Sequence, residues 1–222
     1  MDLGKHLEYF NPIENNVTAH VIGIGATGSH IAIALAKMGV ENIHIYDFDT
    51  VDEHNITNQM YDTLDIGKSK IDAMEEKLLA INPDIKITTH PEGWKEDMPL
   101  SGYIFLCVDS IATRKAICET NLYNNYIKAM FDFRLVLTDA QTYCTEWTTE
   151  EKKEKFIKTM NFTDAEAKEQ TPVSACGTTL NIITAVWAIT ALGLANFINI
   201  INKEPYKFMT LIDTKTHHIT AI

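Results

Sequence analysis

Three glycines, Gly23, Gly25 and Gly28, stand in the run G-I-G-A-T-G, with Ala26 and Thr27 between the last two. Ahead of them lies the β-branched run VTAHVIGIG (Val17–Gly25). Behind them Thr27–Met38 carries Ile31, Leu35 and Met38 on one helical face. Between a buried strand and a helix, this spacing builds a phosphate site. Gly23 permits the tight turn, Gly25 lets a phosphate approach the backbone, and Gly28 allows close helix packing. The free N–H groups of the helix start then face the anion. Asp47 follows nineteen residues beyond Gly28, at the end of a second strand, where a carboxylate accepts hydrogen bonds from ribose hydroxyls. The residues predict a bound nucleotide, and the fingerprint alone favours NAD or FAD.

The elements that must position this loop alternate. Asn42–Tyr46 reads as the second strand, Lys70–Ile81 as a helix stopped by Asn82-Pro83, and Ile85–His90 and Tyr103–Val108 as further strands. Ser110 is placed to cap a helix running through Thr120, with strands at Ile127–Phe133 and Ala140–Trp147. The predicted fold is α/β, a Rossmann-like, mostly parallel sheet with flanking helices. The segment of about 148–175 is charged, glycine-free and without strand signals, and is expected to form an exposed helical excursion. An apolar helix over Thr178–Ile201 and antiparallel C-terminal strands, Phe208–Asp213 and His217–Ile222, complete what is expected to be one domain, 1–222.

Composition narrows the partners. Nineteen basic against thirty acidic residues give a formal charge of −11, which argues against holding nucleic acid by its phosphates. Cys107, Cys118, Cys144 and Cys176 form no C-x-x-C pair, so neither a zinc site nor a disulfide framework is expected. The N-terminus lacks a signal-peptide pattern, and a cytoplasmic setting is expected. Thr178–Ile201 has the length of a bilayer span, but Asn181, Asn196 and Asn199 interrupt it, and we expect a buried spine or subunit interface rather than a membrane segment.

From Val21 to Arg114 the chain resembles the ThiF/MoeB/HesA family, prokaryotic relatives of ubiquitin-activating enzymes. The residues carrying the resemblance are GIGATGSHIA, GVENIHIYDFDTVDEHNITNQ, DIGKSKIDAMEEKLLAINPDIKIT and CVDSIATR. The D-x-D-x-V…N-x-x-x-Q pattern of Asp47, Asp49, Val51, Asn55 and Gln59 is more specific than the glycines. So is Gly67-Lys68-Ser69-Lys70 at a helix entry. The resemblance implies ATP rather than NAD, with Mg2+, and adenylation of the C-terminal carboxylate of a small β-grasp protein, ubiquitin-like or sulfur-carrier. It implies that Gly25 lies against the nucleotide, that Asp47 holds its ribose, that Lys70 contacts the phosphates and that Asp109 positions magnesium. It also implies a homodimer.

Asn58 stands where the family carries an ATP-binding arginine before the glutamine, and Met1 to His20 contains no arginine to serve as the second. Lys5, Lys68 or His54 can supply point charges without arginine's planar fork. These departures leave a second reading, a catalytically degenerate relative that binds nucleotide or partner without chemistry. The chain has only two arginines, Arg114 and Arg134. Arg134, in FDFRLVLTDAQTYCTEW, either faces the nucleotide or bound tail, or pairs with a nearby acid. That segment, with ACGTT further on, resembles small ThiF-domain proteins of phage and mobile elements. Some relatives transfer the activated carboxylate to a cysteine in the crossover segment. Cys176 is this chain's candidate nucleophile, with tight packing of Ala175-Cys176-Gly177 the competing explanation.

Overall fold

The computed structural model describes residues 1–173 and 180–222. Eight strands form a single sheet in the order β3-β2-β1-β4-β5-β6-β7-β8: β1 Thr18–Ile22, β2 Asn42–Tyr46, β3 Lys86–His90, β4 Gly102–Leu106, β5 Ile127–Val136, β6 Asp139–Glu146, β7 Met209–Asp213 and β8 His218–Ala221. The first five run parallel to one another, and the pairings β5–β6, β6–β7 and β7–β8 are antiparallel. β1 and β4 are buried along nearly their whole length, as expected of parallel strands covered on both faces. Strand order reverses between β1 and β4, and in such sheets the crevice at that reversal is where ligands bind.

The helices are α1 Ala26–Lys37, α2 Lys70–Ile81, α3 Ile111–Thr120, α4 Glu150–Lys158, α5 Asp164–Gln170 and α6 Ile183–Ile201. Ile31 and Leu35 of α1, Met74 and Leu78 of α2, and Ile189 and Phe197 of α6 pack one face of the sheet. Ile117 of α3 and Phe156 of α4 pack the other. Side-chain caps set the starts expected from sequence: Ser69 Oγ accepts from Asp72 N, and Ser110 Oγ from Thr113 N.

Three features differ from the sequence reading. Two short 3-10 helices, Glu53–Thr57 and Thr63–Asp65, fill the stretch between β2 and α2, each held by a carboxylate cap. The apolar helix starts at Ile183, and Thr178, where the sequence reading began it, lies outside the described residues; Leu137 N donates to Leu180 O and Ile182 N to Leu137 O, which holds residues 180–182 extended against the end of β5. The charged excursion is helical, but α4 is not merely exposed. Phe156 is fully buried and meets Trp147 edge-on at 6.1 Å, and Lys153 Nζ donates to Leu122 O at 2.6 Å.

The long α6 meets the length and apolarity of a membrane span, with 44% of that window buried in the protein. Its Ala185, Val186, Ile189 and Phe197 face the core. Trp187, Ala191 and Ala195 face outwards.

On the opposite face, register places His20 beside His44 and Tyr46 beside His90, and the rings stack at 4.1 and 4.0 Å. His20 Nδ1 lies 2.8 Å from Tyr46 Oη. Burial, with His44 and His90 close by, pushes the His20 imidazole down to about 3. None of these rings stood out in the sequence.

Candidate functional site

Backbone geometry explains two of the loop glycines. Gly23 takes φ +87°, and a Cβ there would lie 2.8 Å from Val108 N, against the end of β4. A Cβ on Gly28 would lie 1.8 Å from Gly23 O, so α1 packs on the loop only without a side chain there. Gly25 is different. A Cβ there would meet nothing within 4 Å, so the loop opens to solvent at the N-cap of α1, where no side chain caps the helix. The first N–H groups of α1, beginning at Ala26, are thus left for an anion.

The acidic partner is bound into the same loop. Asp47 Oδ2 accepts from Ile24 N at 2.8 Å, and Oδ1 accepts from Asp49 N at 2.9 Å. Lys70, at the first position of α2 and only 6% exposed, places Nζ 2.8 Å from Asp49 Oδ2 and 4.0 Å from Asp47 Oδ1. Tyr61 closes this unit from beneath: its hydroxyl donates to Ile24 O at 2.9 Å. Burial and the nearby Asp47, Asp65 and Asp49 push the phenol well above its ordinary value, so it stays a neutral donor. Sequence reasoning missed Tyr61. Its only signal was an aromatic residue two positions after Gln59.

Two motif residues, Asn55 and Asn58, are turned to the fold's own backbone. Asn55 is buried, and its Oδ1 accepts from Asp52 N, holding the first 3-10 helix. Asn58 donates its amide to Asn181 O at 3.1 Å, tying this stretch to the approach to α6. Gln59 Oε1 is buried without a hydrogen-bond partner among the described residues. Of the alternative cations, Lys68 is taken by Glu76 at 2.6 Å and Asp65 at 3.7 Å, and Lys5 and His54 are at the surface.

Asp109 follows β4 at the strand-order reversal, is exposed, and makes no hydrogen bond or ion pair among the described residues. The backbone just before it is clamped. Arg114 reaches back from α3 to the carbonyls of Leu106 and Val108 and pairs with Asp132 on β5, whose side chain is fully buried. Arg134 binds the same carboxylate, with Nε 2.7 Å from Asp132 Oδ2, and donates to Thr159 O and Oγ1 at 2.8 Å each. Its guanidinium lies over Tyr143 at 4.6 Å. Of the two roles open to Arg134, the structure places it in the ion pair. Both of the chain's arginines therefore converge on Asp132.

Cys107 lies under the glycine loop, and burial pushes its thiol up to about 12, as it does that of Cys144. Cys118 is raised well above its ordinary value for the same reason. Cys176 lies outside the described residues.

Among the described residues no group of three or more His, Cys, Asp or Glu side chains is arranged around a metal. Magnesium rarely uses such a cage. It takes one or two carboxylates, substrate phosphates and water. Asp109, exposed at the strand-order reversal and without a partner among the described residues, fits that kind of binding.

The ThiF family model matches residues 13–222. The probable adenylyltransferase/sulfurtransferase MoeZ of Mycobacterium tuberculosis is 40% identical over 76 residues, 34% of this chain and 19% of that protein. Ubiquitin-like modifier-activating enzyme 5 of Caenorhabditis elegans is 33% identical over 73 residues, 33% of this chain and 17% of that protein. The matched stretches thus span less than a fifth of those two relatives. The structure of MccB from E. coli with ATP superposes with a TM-score of 0.68 at 17% identity, covering 94% of this chain and 64% of that one, a likeness of fold.

Proposed function

The chain belongs to the ThiF family, and from that premise we propose that it activates the C-terminal carboxylate of a small ubiquitin-like or sulfur-carrier protein by ATP-dependent adenylation. The observation that carries this reading is the Lys70–Asp49–Asp47 cluster, joined to a glycine loop that opens at Gly25. The names of MoeZ and the modifier-activating enzyme support the same class of chemistry.

In the proposed reaction a carboxylate oxygen of the partner attacks the α-phosphorus of ATP. A new P–O bond forms, the bond to the β-phosphate oxygen breaks, and pyrophosphate leaves with the electron pair. Charge on the phosphates must be met as this happens. The N–H groups at the start of α1 bind phosphate. Asp47 takes the ribose hydroxyls. Lys70, drawn to Asp49 in the free protein, turns its ammonium to the phosphates. Asp109 would hold magnesium, which when bound neutralises phosphate charge. A cytoplasmic setting and a homodimer through the outer face of α6 belong to the same reading.

A specific observation favours a second reading, nucleotide or partner binding without chemistry. The residue in the arginine position, Asn58, spends its amide on Asn181 O. The two readings separate by pyrophosphate exchange with β-grasp carriers ending in Gly-Gly. Adenylation predicts carrier-dependent exchange that Asp109→Ala lowers more than it lowers ATP affinity. Exchange at background with every carrier refutes it, whereas a fully active Asp109→Ala refutes only the role given to Asp109.

A further inference from the structure

Asp109 stands between two anchored stretches of backbone, and both anchors lead to the crossover segment. On its N-terminal side, the carbonyls of Leu106 and Val108 are held by Arg114. On its C-terminal side, Ser110 Oγ donates to Asp164 Oδ2 at 3.1 Å and Ile111 N donates to Asp164 Oδ1. Asp164 is the first residue of α5, fifty-three residues on from Ile111. The other anchor arrives by a longer route: Arg114 shares Asp132 with Arg134, and Arg134 holds Thr159 at the end of α4.

We propose that the crossover segment positions Asp109, with Asp164 and the Arg134–Thr159 contact acting as a two-point latch on the turn that carries it. The coupling rests on geometry alone. What Asp109 does there rests on the adenylation reading.

The chemistry of the contacts suits such a latch. Asp164 is a carboxylate on the N-terminus of α3, where the helix dipole and unpaired N–H groups favour negative charge. It therefore fills the N-terminus of α3, next to Asp109, which an incoming phosphate or carboxylate would otherwise find. Asp132 is fully buried between two guanidinium groups, so displacing Arg134 leaves its charge half-compensated. The segment cannot shift at α4 or α5 without disturbing the backbone on one side of Asp109. A partner seated on the segment is thereby felt at the carboxylate that would hold the metal.

The test follows deuterium uptake at residues 106–113 together with magnesium dependence. In Asp164→Ala, uptake across 108–113 should rise. Half-saturating magnesium in carrier-dependent pyrophosphate exchange should rise about tenfold, the usual scale for losing a group that orients a ligand. Affinity for ATP without magnesium should change less than about twofold, because Asp164 bonds to Ser110 and Ile111 and not to the glycine loop, Asp47 or Lys70. Asp164→Asn, which keeps the acceptor oxygen, should restore most of the magnesium response. Arg134→Ala provides an independent cut of the second anchor should Asp164→Ala fold poorly, since it removes both bonds to Thr159, and it should raise uptake in the same peptide. Unchanged uptake in both variants overturns the latch, as does a parallel fall in magnesium and ATP affinity. Wild-type protein with no exchange overturns the adenylation reading, and with it the role given to Asp109, whatever the uptake shows.

Discussion

Lys70 and Asp49 face one another at the rim of the glycine loop, with Nζ 2.8 Å from Oδ2, and the lysine is buried while the aspartate side chain is half exposed. The pairing gives the ammonium a partner that it can exchange. A phosphate at the loop competes for the same Nζ, and Asp49 can turn to water when released. Loss of a charged hydrogen bond to phosphate weakens binding by roughly 1.5–3 kcal/mol, or about tenfold to a hundredfold.

Lys70→Met should therefore raise the calorimetric Kd for ATP by about that factor. Asp47, only 9% exposed at its side chain, also loses its nearest cation. It keeps the Ile24 and Asp49 amides, so we expect destabilisation of about 1 kcal/mol, seen as a lower urea midpoint. Unchanged ATP affinity in a folded Lys70→Met would remove Lys70 from the site.

The stacked imidazoles predict sensitivity to acid. The unfolded His20 protonates near 6.5, and the buried one only at about 3. At pH 7 both states are neutral and the group contributes nothing. As pH falls below 6.5 the unfolded chain takes up a proton that the folded chain refuses, so stability declines until about pH 3. Across that window the loss reaches roughly 4 kcal/mol. His44 and His90 are also lowered, chiefly by burial, and act in the same direction; Glu92 opposes the shift at His90. His20→Phe keeps a ring for stacking and forfeits the contact with Tyr46 Oη, so it should be slightly less stable at pH 7 and lose less on going to pH 4.5. Parallel pH profiles for the two proteins in urea denaturation would contradict this.

The outer face of α6 carries Trp187, Ala191 and Ala195, with no charged residue anywhere from Ile183 to Ile201. A helix face in water normally carries charge. Ile182 is also exposed just before it. We expect light scattering to give twice the chain mass at micromolar concentration, and Trp187→Glu to return it to the monomer by burying an unpaired charge in the interface. A wild-type monomer would refute this face as the dimer contact.

Local signals were legible in the sequence and distant ones were not. The bounds of β2 and α2 follow from β-branched alternation and from a serine cap with Asn82-Pro83 behind, all within one element. The glycine spacing showed the loop, because Gly23 and Gly28 are needed for contacts made a few residues away. Tyr61 lies thirty-seven residues from the carbonyl it supports, and Asp164 fifty-three from the amide it caps. Neither side chain has a local pattern. The stretch just before α6 shows the same: residues 180–182 pair with Leu137, more than forty residues earlier, and no local pattern announces it. The arginines were few enough to notice, but their shared carboxylate, Asp132, gave no sign within a strand that reads as apolar.

The last prediction concerns Asn58. Its amide holds Asn181 O, so Asn58→Arg gives up one part-buried hydrogen bond, at a cost of about 1 kcal/mol, and gains a guanidinium in the position where the family carries one. A planar, bidentate donor contributes most where charge develops, so the gain should appear in turnover rather than in ATP affinity. Arg134 does not compete for that role from where it stands, because Asp132 and Thr159 occupy its Nε, Nη1 and Nη2. Arg134→Ala should accordingly lower the thermal midpoint, by leaving Asp132 with Arg114 alone, and should lower exchange only through the Asp109 turn, so that added magnesium recovers part of the loss. Asn58→Arg should speed carrier-dependent pyrophosphate exchange several-fold, on the order of 1 kcal/mol of transition-state stabilisation. If instead Arg134→Ala abolishes exchange at every magnesium concentration while Asn58→Arg adds nothing, Arg134 swings to the phosphates during the reaction, and its pairing with Asp132 is a resting arrangement.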